Sequence, residues 1–224
     1  MTARTPFILP IAGAVLALLM GCAPTVQSAP PMSTPVPVGP PAFWLVTVDG
    51  PMELDHYVAR VCTQENGAAA FEALKAQAVA ARTYVLRAMR DEKPIGTPEK
   101  PIPNSQEFQA YAPVASAACA EATRQTRGLV LRYQGQLIVA NYVAGARLRD
   151  DGTPGDDPTR TEKWVTYNGD RFGPQVIPTP LSRTDRSDNR GCMSQNGADW
   201  MARRGFDFVR ILRFYYGQDA AIVW

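Results

Sequence analysis

Glu65 is the carboxylate whose setting invites chemistry. In the stretch VCTQENGAAAFEALKAQAVAART, residues 61–83, it stands beside an Asn-Gly pair, just ahead of a run patterned as a helix. An acid at the junction of two helices can exchange protons near neutral pH if its pKa is raised. Closing the first helix would raise it, because a negative charge is disfavoured at a helix C-terminus; approaching the N-terminus of the second would lower it. Both placements fit the sequence. So does a purely local role, with the carboxylate bonded to nearby backbone donors.

The other reactive side chains are fewer. His56 is the sole histidine and lies off the apolar face of its helix, which reads as a surface position. Cys62, Cys119 and Cys192 have no metal-ligand spacing, and neither a metal nor another cofactor is expected. An exported compartment would permit one disulfide among these three cysteines, in any of three pairings. The acidic run DDGTPGDD lacks the alternating oxygen ligands of a calcium loop and reads as a solvated turn. Trp164, Tyr167 and Phe172 could stack on sugar faces or belong to the core.

The elements that must position Glu65 are visible as periodicities. FWLVTV at 43–48 reads as a first strand. Leu54, Tyr57, Val58, Val61 and Cys62 form one face of a helix. Phe71, Leu74, Ala78, Ala81, Val85 and Met89 continue as the stripe of a second, alanine-rich helix. Gln77 and Arg82 sit off that stripe, facing either a groove or solvent. A Pro-rich loop over 91–105 is followed by a third helix, which Gly128 would end. LVLRYQGQLIVANYV alternates about Gln134-Gly135 as a β-hairpin through Asn141, and EKWVTY suggests another strand. Two short helices separated by Gly205 complete the chain, with Phe208, Ile211, Leu212 and Tyr215 as a buried stripe. The fold class is α+β: one domain, 43–224, with helices packed on a mostly antiparallel sheet and hairpins.

The chain has 224 residues and a net charge of only +2, which gives no electrostatic case for nucleic acid. Residues 1–21 read as a secretory leader, and Leu19-Met20-Gly21-Cys22 resembles a bacterial lipobox, with Cys22 as the lipidated first mature residue. Acyl chains on Cys22 would anchor the protein to a membrane. Residues 23–42 hold seven prolines and no charge, a linker reaching on the order of 60 Å if extended at ~3.1 Å per residue.

Two separated motifs resemble one family. LDHYVARVCTQE…FEALKAQAVAARTYVLR looks like the signature of the SpoIID/LytB family, and CMSQNGADWMARRGFDFVRILRFYYG is similar to its C-terminal motif. EATRQTRGLVLRYQGQLIVANYV resembles the helix and hairpin between them. The resemblance implies a lytic transglycosylase that cuts peptidoglycan glycan strands, with Glu65 as the catalytic acid and Gln77, Arg82, Ser194 and Gln195 lining the groove. One carboxylate suffices for that reaction, since the substrate's own 6-hydroxyl attacks the anomeric carbon; ordinary glycoside hydrolysis needs two. The family's histidines are absent: Val143 follows Tyr142, and Asn189 in DNRGC stands near the second. Their loss argues against a metal site. The resemblance also implies a rival class, a non-catalytic wall-binding protein that recruits or stimulates an amidase or other wall hydrolase. Because Ala23 rather than aspartate follows Cys22, the expected location is the outer membrane facing the periplasm, in a cell that has one.

Overall fold

The computed structural model describes residues 43–91 and 94–224. The expected leader, Cys22 and the linker to residue 42 lie outside the described residues. Trp44–Thr47 (β1) and Gly50–Glu53 (β2) form an antiparallel hairpin, with Trp44 opposite Glu53 and Thr47 opposite Gly50. Glu53 then caps the next helix, its carboxylate accepting from His56 N at 3.1 Å. That helix, Leu54–Asn66 (α1), buries Leu54, Tyr57, Val58, Val61 and Cys62, the apolar face read from the sequence.

Phe71–Asp91 (α2) runs through the middle of the domain. Its alanines are buried on more than one side, and small side chains allow that close approach without overpacking. Ala78, Ala81 and Val85 pack with Tyr57, Val58 and Val61 of α1 in one cluster. Ala73, Ala76, Val79 and Ala80 pack in a second, described below. Ala117–Gln125 (α3) lies against both α1 and α2. Its Ser116 cap accepts from Cys119 N, and the helix ends at Gln125, with Thr126 as its cap and Gly128 turning at φ +74° two residues beyond.

Val130–Tyr133 (β3) and Gln136–Leu137 (β4) are the expected hairpin. Gln134 and Gly135 have φ of +49° and +77°, as a two-residue turn matched to strand twist requires. The second arm is shorter than the alternation suggested. Ile138, Val139 and Ala140 are buried in succession, which no one-sided strand can do, and Val139 N turns to Asp188 O at 2.8 Å. Asn141–Val143 (β5) therefore leaves the hairpin and pairs in parallel with Cys192–Ser194 (β6), Tyr142 opposite Met193.

EKWVTY is likewise not a strand. Glu162–Trp164 is a 3-10 turn, fixed because Asp157 accepts from the backbone N–H groups of Thr161 and Glu162. Instead of joining a ladder, Thr166 bonds to Cys192 through N–H to carbonyl at 3.2 Å and through its hydroxyl, which accepts from Cys192 N at 2.8 Å.

Gln195–Arg203 (α4) and Phe208–Tyr216 (α5) follow as expected about Gly205, with Ile211, Leu212 and Tyr215 buried. Ala221–Val223 (β7) returns to pair antiparallel with β3. The second cluster joins α2 to Leu131, Ile138, Met193, Ile211, Leu212, Tyr215 and Tyr216. The result is an α+β domain of helices and small sheets, mostly antiparallel with β5–β6 the parallel exception. Among the described residues no helix is long and apolar enough to cross a membrane.

Candidate active site

Glu65 occupies the last turn of α1, next to its final residue, Asn66. At the start of α2, Ala70 N donates to Asp199 Oδ1 at 2.6 Å, and Ala73 N and Leu74 N donate to Ala70 O. Glu65 thus stands at the C-terminal end of α1, and no hydrogen bond from α2 reaches its carboxylate among the described residues. Its own partner comes from a distant loop, Ala110 N donating to Oε1 at 3.1 Å. That loop is held in place by Arg60, whose carbonyl accepts from Ala112 N and whose Nε donates to Ala112 O, and by Asn104 bonded both ways to Tyr111. Burial pushes the Glu65 carboxyl above the ordinary glutamate range; the Ala110 N–H and the Gln195 carboxamide oppose that rise.

Gln195 is the first residue of α4 and is delivered by Ser194. The Ser194 hydroxyl caps α4 by accepting from Gly197 N at 2.9 Å and donates to Ala144 O at 3.2 Å, so it ties the helix start to the end of β5. Gly145 is required beside it: φ is +68°, and a Cβ there would strike Ser194 Oγ. Behind Gln195 lies Gln77, wholly buried, whose Oε1 accepts from Gln195 Nε2 at 3.4 Å.

These groups stand at a cavity of about 520 Å³. Glu65 and Gln195 contribute to its lining, with Tyr84, Phe108, Tyr142, Trp164 and Leu181 as apolar walls and Gln106, Glu107, Asn141, Thr159 and Thr161 as polar ones. No lysine, arginine or histidine is among its lining residues. Aromatic faces beside amides and hydroxyls suit a ligand with apolar ring faces and hydroxyl edges, and offer nothing to a phosphate. Tyr142 is held by a chain of bonds: Tyr57 Oη donates to Gln109 Oε1 at 3.1 Å, and Gln109 Nε2 donates to Tyr142 Oη at 2.8 Å. Burial and the nearby Glu65 raise the Tyr142 hydroxyl well above its usual pKa, so it remains protonated.

The residues expected in the groove separate. Glu65 and Gln195 line the cavity, Gln77 and Ser194 support Gln195 from behind, and Arg82 is not at the cavity. Arg82 is buried, bonded to Asp55 on α1 and to carbonyls at the end of α3. Among the candidate aromatics Trp164 lines the cavity, Tyr167 packs on Phe214 at 5.9 Å, and Phe172 is exposed. His56 is exposed on α1, and among the described residues no three His, Cys, Asp or Glu side chains gather as metal ligands would. Ala110, Gln109 and Tyr84 carried no signal in the sequence, because a backbone donor has no residue identity and the contacts span long separations.

The two positions where the resemblance leads one to expect histidine also diverge. Val143 lines the cavity opposite Ser194 in β6. Asn189 is buried away from it, accepting from Thr179 N at 3.0 Å and donating to the carbonyls of Thr179, Ser182 and Arg183. Asn189→Ala strands these groups, and denaturant melts should show a loss of about 2–3 kcal/mol. Gln195→Leu removes a donor that lowers the Glu65 pKa. Carboxyl NMR should then show the Glu65 titration moved to higher pH, with the Ala110 N–H as its remaining partner.

Residues 46–133, from β1 through α1, α2 and α3 to β3, match the model of the family described as SpoIID, Stage II sporulation protein. The family is linked to lytic activity on the cell wall. The match includes Glu65, Gln77 and Arg82, whereas Tyr142, Ser194 and Gln195 come from outside it. No curated protein matches the chain.

Proposed function

We propose that the protein is a peptidoglycan lytic transglycosylase that cleaves glycan strands and leaves 1,6-anhydro-muramic acid ends. The observation that carries this reading is the Glu65 carboxyl, partly buried, raised in pKa and facing an aromatic, amide-lined cavity whose lining has no basic side chain. Protonated Glu65 donates its proton to the departing glycosidic oxygen. The carboxylate so formed accepts the proton of the muramic acid 6-hydroxyl as that oxygen closes the anhydro ring, and the acid is regenerated. Gln195 and Ala110 N–H hold the carboxyl in one orientation through both steps. Tyr84, Phe108, Tyr142 and Trp164 provide faces on which sugar rings can lie. Glu107, the other carboxylate at the cavity, is exposed and held below the usual range by Ser105, so it is ionised and not a proton donor at neutral pH.

The proposed setting is the cell envelope, with Cys22 lipidated, the 23–42 linker as a tether, and the domain facing peptidoglycan in the periplasm from an outer membrane where one exists. The test is mass spectrometry of fragments that the purified protein releases from peptidoglycan, intact and stripped of stem peptides. Anhydro-muramic ends are expected. Reducing ends would mean hydrolysis and would make Glu107 the second acid to replace. No release, with binding to the wall retained, would favour the rival reading of a protein that recruits another wall hydrolase.

A further inference from the structure

Cys62 and Cys119 meet in the interior. Cys62 lies in α1 three residues before Glu65, and Cys119 lies in the first turn of α3. Both are wholly buried in a small cluster with Leu74 and Ala122. Two bonds fix the register between their helices: Ser116 N donates to Thr63 Oγ1 at 2.9 Å, and Cys119 N donates to Ser116 Oγ at 3.2 Å. The residue following Cys62 is therefore bound to the residue that caps the helix of Cys119. Both are thiols in the structure, with Cys62 Sγ donating to Leu74 O at 3.7 Å, and the nearness of the two pushes Cys62 up and holds Cys119 down. Cys192 has different surroundings, in β6 with its Sγ directed to Met193 O.

We propose that Cys62 and Cys119 form a disulfide that ties the Glu65-bearing end of α1 to α3, leaving Cys192 as a thiol. Each cysteine gives up its S–H proton and the pair gives up two electrons as the S–S bond forms. The oxidant is a disulfide, carried by an oxidoreductase or a small dithiol/disulfide couple of an oxidising compartment, and its own S–S bond is reduced to two thiols. One cysteine thiolate first opens the donor disulfide to a mixed disulfide; the other then displaces the donor's remaining sulfur. Because both sulfurs are buried in the finished fold, exchange belongs to the folding chain, before α3 closes over α1. Once formed, the bond is shielded from external thiols. Oxidation in the cell rests on the proposed exported location, whereas the pairing rests on the fold.

The test is refolding of the full chain in reduced and oxidised glutathione, followed by alkylation under denaturing conditions and tryptic mapping. Trypsin places Cys62, Cys119 and Cys192 on peptides 61–75, 91–124 and 191–203. The expected map joins 61–75 to 91–124 and leaves 191–203 alkylated. Reduction should lower Tm by on the order of 10 °C, as loss of a long-loop cross-link does in a domain of this size. The Cys62→Ala/Cys119→Ala variant should melt at one temperature with and without reductant. A cross-link from Cys192 or Cys22 to either residue, or three alkylated peptides after refolding, overturns the pairing. The same map on protein drawn from expressing cells separates the two readings. A bond formed in the refolded chain but missing from cells upholds the pair and overturns the exported location.

Discussion

Glu65→Gln should abolish release of glycan fragments, with a fall of about 10²–10⁴-fold, while leaving the protein as stable as the parent or more so at neutral pH. The two halves of this result have one cause. Burial raises the Glu65 pKa, so the fold favours the protonated carboxyl over the carboxylate. A group with a raised folded-state pKa contributes stability that is fully present below its unfolded pKa and is lost as pH rises through the folded value. Neutral pH lies above the unfolded pKa, so the parent no longer has the full benefit of burying a protonated Glu65, and glutamine, which does not ionise, is free of that loss. Glutamine keeps an oxygen for the Ala110 N–H but has no proton to deliver. The parent rate should itself fall as pH rises through the same pKa, because the acid is consumed. Activity of the variant within a few-fold of the parent, or a marked fall in its Tm, would each refute this account.

How far such a site can be read beforehand depends on what kind of group builds it. α1 and α2 were legible because their apolar residues repeat at helical spacing, and the Gln134-Gly135 turn because its residues tolerate positive φ. The parallel pairing of β5 with β6 was not. Each strand has three residues, and neither alternates in burial, half-buried throughout in β5 and wholly buried in β6. Nothing in Asn141–Val143 announces a partner some fifty positions on. EKWVTY failed differently, since Asp157 bonds over Thr161 and Glu162 and holds a turn that β-forming residues alone would not suggest.

The site divides in the same way. Glu65 was legible as an acid at a helix junction, but its raised pKa depends on burial under a loop whose tie to Arg60 no local pattern reveals. Ser194 and Gln195 were found through the motif, which does not distinguish a side chain lining the cavity from one supporting the other. The geometry does: Ser194 caps, Gln195 lines. Selection on such a motif can act on either task, which is how a supporting residue comes to look like a binding one.

Arg82 is the sharper case of that confusion, and its substitution should cost the fold rather than the reaction. Its position off the apolar stripe of α2 allows either a groove or solvent; in the fold it turns to Asp55 and the end of α3 instead. The guanidinium is 1% exposed. It donates to Asp55 Oδ1 through Nε at 3.0 Å and Nη2 at 2.7 Å, and to the carbonyls of Thr126 at 2.9 Å, Leu129 at 3.2 Å and Thr123 at 3.3 Å. One side chain thus joins α1, α2 and the end of α3, whose last carbonyls lack helical partners. Arg82→Met removes all five bonds and leaves Asp55 with only Arg127, whose Nε lies 3.2 Å from Oδ2, a loss of about 3–5 kcal/mol, or on the order of 10 °C in Tm. Lysine should recover little, because a point charge cannot span the fork. Adding Asp55→Leu to Arg82→Met should cost less than the sum of the separate changes, since the two side chains share the bonds that each change removes. At a temperature where the variant is folded, KM for glycan should match the parent's, because Arg82 does not line the cavity. An unchanged Tm with weakened glycan binding would return Arg82 to the groove that the motif implies.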